Sequence, residues 1–160
     1  MTEPSVLSIA KPIKLLTSKA INGSWTAEAE ILADDYVGCE NYVDIGTEKY
    51  IVKNLKRIKQ KGQLYYRLQL DHYMAELLDL TIDRFSYLKT VWSLLDLILT
   101  GTGWTAGTVD IDETLSLVTD RRTSVLEALN LLTERCRGEL YFYPNTRVID
   151  LKRQIGTVTE

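Results

Sequence analysis

The sequence predicts an α+β protein, with an N-terminal antiparallel β-barrel-like subdomain over residues 1–80 and a helical subdomain with a closing β-hairpin over residues 81–160. Three observations carry this. In the first half, β-branched and aromatic residues alternate with polar ones at a period of two, the mark of half-buried strands. Near Asp71 the period changes to that of an amphipathic helix. Close to the end, Pro144-Asn145-Thr146 separates two short strand-like runs.

Taken in order, strands are predicted over 13–20, 25–32, 43–57 and 64–71. Asn22-Gly23-Ser24 reads as a tight turn and Lys59-Gln60-Lys61-Gly62-Gln63 as a charged hairpin tip. Four or five antiparallel strands with no helix between them suggest a small barrel or sandwich. In the second half, 72–80 is short and apolar on one face, and 85–99 sets Leu88, Val91, Trp92, Leu95, Ile98 and Leu99 at helical spacing. Gly101-Thr102-Gly103 ends that helix, and 104–109 follows as a short extended piece. A third helix begins at Ser124, whose hydroxyl can accept from the free backbone N–H groups while Glu127 reaches back, the S-x-x-E capping box. Its core face is Val125, Ala128, Leu129, Leu132 and Cys136; Gly138 stops it, and 140–143 and 147–151 form the closing hairpin.

Composition narrows the function classes. The 160 residues are 45% hydrophobic, enough for an ordinary core. Nineteen basic and 22 acidic residues give a net charge of -3, so no sequence-wide positive field draws nucleic acid or anionic lipid, and direct binding of either is not expected. The longest apolar run, 91–99, is broken by Ser93 and Asp96 and falls short of the roughly 20 residues a bilayer requires. The N-terminal stretch has too few apolar residues for a signal-peptide core.

No constellation reads as a catalytic, cofactor or metal site, and the expectation is that the chain is not an enzyme. Cys39 and Cys136 lie far apart with no CxxC, and His72 is the only histidine, so a zinc site lacks ligands; both thiols read as reduced and structural. Gly101-x-Gly103 follows a helix rather than opening one, which fits a helix stop better than a phosphate cradle. Asp110, Asp112 and Glu113 lack the glycine and distal glutamate of an EF-hand loop and read as a solvated loop. His72 could act as a general base only if folding brought it a partner, and a hydrogen-bonding role at the strand-to-helix junction fits it better. Asp34-Asp35 with Asp71 could serve glycoside hydrolysis only at a workable separation. Tyr65-Tyr66 and Tyr141-Phe142-Tyr143 could stack on sugars, yet in a strand one of each neighbouring pair faces the core.

Several segments, in order, resemble the N-terminal region of the phage minor structural protein or prophage endopeptidase tail family. Ser24-Trp25-Thr26-Ala27-Glu28-Ala29-Glu30-Ile31 with Ala33-Asp34-Asp35 is similar to its early strand and loop, and Tyr50-Ile51-Val52-Lys53-Asn54-Leu55-Lys56-Arg57 to its central strand. Residues 65–80, with His72 and Leu77-Leu78-Asp79, resemble a strand that ends in a short helix. Most specific is Ile98-Leu99-Thr100-Gly101-Thr102-Gly103-Trp104 running on through Gly107 to Val109-Asp110; the capped helix and the hairpin ending at Ile155-Gly156 then follow. The resemblance implies a structural piece of a tail-tip or baseplate hub, without cofactor, that closes the distal tail tube and takes part in host attachment and genome delivery. It implies a homotrimer, contacts with the distal tail protein, the tape-measure protein and other tail-tip proteins, and residence in the virion tail after assembly in the host cytoplasm. Family members continue well past this length, so the chain is expected to be a piece of a longer protein or an unusually short member, with only part of a ring-closing interface and no lytic activity to transfer. Two other readings stand beside it: a tail-associated cell-wall hydrolase, and a carbohydrate- or receptor-binding module supported by nine tyrosines and three tryptophans.

Overall fold

The computed structural model describes residues 6–8, 12–19, 25–33 and 37–153. The predicted turn at Asn22-Gly23-Ser24, the Asp34-Asp35 pair and the 154–156 segment lie outside the described residues. The chain divides into two compact units, Met1–Tyr73 and Met74–Glu160.

The first unit is one six-stranded sheet built from β1 (Val6–Ser8), β2 (Lys14–Lys19), β3 (Trp25–Leu32), β4 (Tyr42–Ile45), β5 (Glu48–Gln60) and β6 (Gln63–His72). Its order is β1-β4-β5-β6-β3-β2, antiparallel except for the parallel β1–β4 pair. The barrel-like expectation is corrected here: the sheet is open, with β1 and β2 at its edges. Alternation could not have told the two apart, because an open coiled sheet and a barrel both bury one face of every strand. That buried face gathers Ala27, Ala29, Ile31, Val43, Tyr50, Val52, Tyr66, Leu68 and Leu70 into the core. The single strand predicted over 43–57 is two strands, because Gly46 at φ 64 turns the chain between Ile45 and Glu48. The tip predicted at 59–63 is a tight hairpin with Gln60 opposite Gln63 and both Lys61 (φ 49) and Gly62 (φ 81) left-handed, the backbone of a type I′ turn.

The second unit corrects the other half of the fold class: helix is the lesser part of it. After a 3-10 turn at Tyr73–Ala75 come α1 (Glu76–Asp79), β7 (Thr81–Ile82), β8 (Phe85–Thr90), α2 (Val91–Leu99), β9 (Thr105–Val109) and β10 (Thr114–Thr119). Then follow β11 (Thr123–Ser124), α3 (Val125–Cys136), β12 (Gly138–Tyr143) and β13 (Val148–Arg153). Strands pair as β10–β8, β11–β7 and β12-β13-β9. The predicted closing hairpin is β12–β13, and the expected extended piece is β9, which joins β13 in parallel.

The helix predicted over 85–99 is half strand. Thr90 stays extended, and its hydroxyl accepts from the Ser93 N–H, so the helix starts one residue later at Val91. Residues 85–90 pair instead with β10, from Phe85 opposite Thr119 to Thr90 opposite Thr114. Leu88, expected in the core, is 73% exposed and Trp92 is 50% exposed, whereas Leu94 is fully buried. The capping box of Ser124 with Glu127 and the buried face of α3 are as expected. Gly138 differs: the left-handed cap is Arg137 (φ 54). Glycine at 138 answers packing, since a Cβ there would stand 2.7 Å from Leu151 Cδ1 and 3.0 Å from Ile111 Cδ1.

Candidate functional site

His72 ends β6 and is completely buried. The register that sets Tyr50 opposite His72 on β5 carries on through β3 to Trp25 and through β2 to Lys19, so these side chains form one row across four strands. The imidazole lies 4.8 Å from the Trp25 ring and 5.3 Å from the Tyr50 ring. Its Nε2 stands 3.1 Å from Glu48 Oε2, and Lys19 Nζ stands 2.8 Å from Glu48 Oε1 and 4.4 Å above Trp25. Burial pushes the Glu48 carboxyl up, but the hydrogen bonds from Lys19 and His72 outweigh it and leave the group below its ordinary value. An ionised carboxylate only accepts, so Nε2 carries the proton and donates. Burial holds the imidazole below its ordinary 6.5 against the pull of Glu48.

The arrangement makes His72 a neutral donor that ties β5 to β6. Because the folded pKa is depressed, the unfolded chain binds a proton that the folded one refuses once the pH drops below about 6.5. Stability held above that pH is therefore lost as the pH falls toward the folded value. Glu48 adds its own loss only below its ordinary 4.5. Denaturant midpoints are expected to drop between pH 7.5 and 5.5 in the wild-type chain and to drop less in His72→Phe. Equal drops in the two proteins would show that the imidazole does not govern this window.

The Gly-Thr-Gly-Trp segment ends α2 as expected. Gly101 (φ 80) and Gly103 (φ 81) supply the left-handed backbone, and the Thr102 hydroxyl donates to Leu99 O and accepts from Trp104 N–H. Trp104 turns into the core of its unit at 3% exposure, edge-on to Phe142 at 6.0 Å. Its indole N–H donates to the Glu76 carboxylate, which Arg147 approaches at 3.6 Å.

The other sequence candidates are dispersed. Asp110 accepts from the Arg153 backbone N–H and Glu113 from its guanidinium, while Asp112 is exposed, so this loop is tied to β13 rather than simply solvated. Asp71 lies opposite Thr26 and Ile51 in the first sheet. Cys136 is buried on α3 with its thiol pushed up by burial; Cys39 is exposed, and both are free. Tyr66 and Phe142 face inward, while Tyr141 and Tyr143 are 41% and 44% exposed, their hydroxyls on Glu139 and Asp150.

Two features escaped the sequence reading. Asp150, only 8% exposed, accepts from Thr108 N–H at 2.8 Å and from the Tyr143 hydroxyl, with Lys152 Nζ at 3.3 Å. Gly107, the glycine inside β9, was its one signal: a Cβ there would collide with an Asp150 carboxylate oxygen and stand 2.6 Å from Val148 Cγ1. The second is the charge of β5 and β6. Residues 49–70 hold seven basic side chains and no acidic one, visible only when charge is counted by segment.

No family model matches the sequence, and no curated protein matches it. The fold is shared with solved tail proteins. Prophage tail protein gp18 from Listeria monocytogenes matches with a TM-score of 0.69 at 17% identity, over 87% of this chain and 43% of that one. The tail protein from Neisseria meningitidis matches at 0.65 and 13% identity, over 86% and 44%. The 43 kDa tail protein of prophage MuSo2 from Shewanella oneidensis matches at 0.57 and 15% identity, over 86% and 46%. The chain thus spans less than half the length of each.

Proposed function

We propose that this chain is a structural, non-enzymatic component of a phage or prophage tail, and more closely a part of the tail-tip or baseplate hub. The observation that carries the reading is the extent of the likeness: at least 86% of the chain follows the fold of tail proteins from three different bacteria. In this reading copies form a homotrimeric ring at the distal end of the tail tube, meet the distal tail and tape-measure proteins, and take part in host attachment and genome delivery. The use of the single histidine supports a structural role, since a ring with no exposure that bridges strands offers substrate no proton. The test is peptide mass spectrometry and immunogold labelling of purified tails from the producing strain. Labelling at the distal tip is expected; absence from purified particles, or labelling along the whole tube, overturns the hub reading.

A further inference from the structure

We propose that the β5–β6 hairpin is a cationic arm that docks on an acidic surface of a second copy of this chain. Residues 49–70 carry seven basic side chains and no acidic one; the other 138 carry 12 basic and 22 acidic, a net of -10. The chain is thus strongly polarised although its total is -3. Lys53 pairs with Glu40 at 3.2 Å and Arg67 with Glu30 at 2.6 Å. Lys56, Arg57, Lys59 and Lys61 are exposed and have no ion-pair partner among the described residues.

Among the described residues, the β5 edge of the hairpin runs free beyond Val52, while β6 stays paired with β3 almost to the turn. On one side β4 pairs with β5 only through Ile51; on the other, β3 pairs with β6 as far as Tyr65, with one further hydrogen bond from Ala33 N–H to Leu64 O. From Asn54 to the turn, the outer backbone edge of β5 is open among the described residues. Four cations within six residues repel one another, and Lys56 sits directly opposite Arg67, a like-charge pair that weakens a sheet. Among the described residues no carboxylate pairs with Lys56, Arg57, Lys59 or Lys61, which is the pattern of a surface meant for a charged partner.

A second copy fits that partner best. On its Met74–Glu160 unit, exposed Asp79, Asp96, Asp112 and Asp120 have no ion pair among the described residues. A long phosphate polymer fits less well, because charge is screened beyond roughly 8–10 Å at physiological salt, and a duplex overrunning the arm would meet a surface of net negative charge. The proposal rests on the ring-forming reading above for the closed arrangement of copies. Its test does not depend on whether the protein is found in tails.

The test is sedimentation equilibrium of the full chain at about 50 and 500 mM salt, against the variant Lys56→Glu, Arg57→Glu, Lys59→Glu, Lys61→Glu, whose fold is checked by circular dichroism. Wild type is expected to self-associate at low salt, with affinity falling about ten-fold or more at high salt. The variant alone is expected to stay monomeric, yet to form a one-to-one complex with labelled wild type, whose arm still finds the variant's acidic surface. A monomeric wild type at low salt, association that strengthens with salt, or a folded variant that associates as tightly as wild type overturns the proposal. So does tight binding of a 30-base-pair DNA duplex to a wild-type chain that stays monomeric, which would assign the arm to a polyanion.

Discussion

Trp104→Ala is expected to lower the stability of the Met74–Glu160 unit by about 3–5 kcal/mol, the usual cost of emptying a large aromatic site in a packed interior. The indole is nearly fully buried, packs edge-on against Phe142 and holds Glu76 through its N–H. Removing it opens a cavity beside a carboxylate that Arg147 approaches at 3.6 Å. Trp104→Phe separates the two contributions: it keeps most of the apolar surface and leaves Glu76 without its indole donor, for a loss of about 1–3 kcal/mol. Denaturant unfolding followed by circular dichroism measures both. An alanine variant that unfolds at the wild-type midpoint would mean that Trp104 does not anchor this unit.

Gly107→Val is expected to cost at least about 2 kcal/mol, although valine is a better strand former than glycine. The added Cβ would strike the Asp150 carboxylate and Val148, forcing apart the parallel pairing of β9 with β13 and the hydrogen bond that Asp150 accepts from Thr108. Pairing the change with Asp150→Ala distinguishes the cause. If the collision is responsible, the double variant loses less than the two single losses added together. Strict additivity in the same denaturant assay would show that the glycine serves some other purpose.

What was legible in the sequence was what short-range chemistry fixes. The start of α3 could be read because Ser124 and Glu127 satisfy each other three residues apart, and its buried face because helical spacing is local. The Lys59–Gln63 tip was legible because few residues besides glycine accept a positive φ. Segment 85–90 was misassigned because its strand character depends on β10, which pairs with it from 24 to 34 residues away, while Leu88 mimics a helical core position and in fact meets solvent. The site followed the same division. His72 was correctly set at a strand end, but its partner Glu48 lies 24 residues off, and no spacing rule connects them. Asp150 could not be found from its own neighbours, since burial of a carboxylate depends on which backbone N–H folds over it.

The position of β13 in the sheet β12-β13-β9 bears on how this unit yields to force. A pull on the chain beyond Arg153, opposed through the start of β9 at the far end of β13, loads that parallel ladder in shear, whereas β12 begins opposite Arg153 and its antiparallel ladder opens from that end. Resistance to such a pull is governed by the unfolding rate rather than the equilibrium stability. Under traction from that end, the parallel pairing of β13 with β9 is expected to hold longest, while the two-residue pairing of β7 with β11 has few rungs to lose.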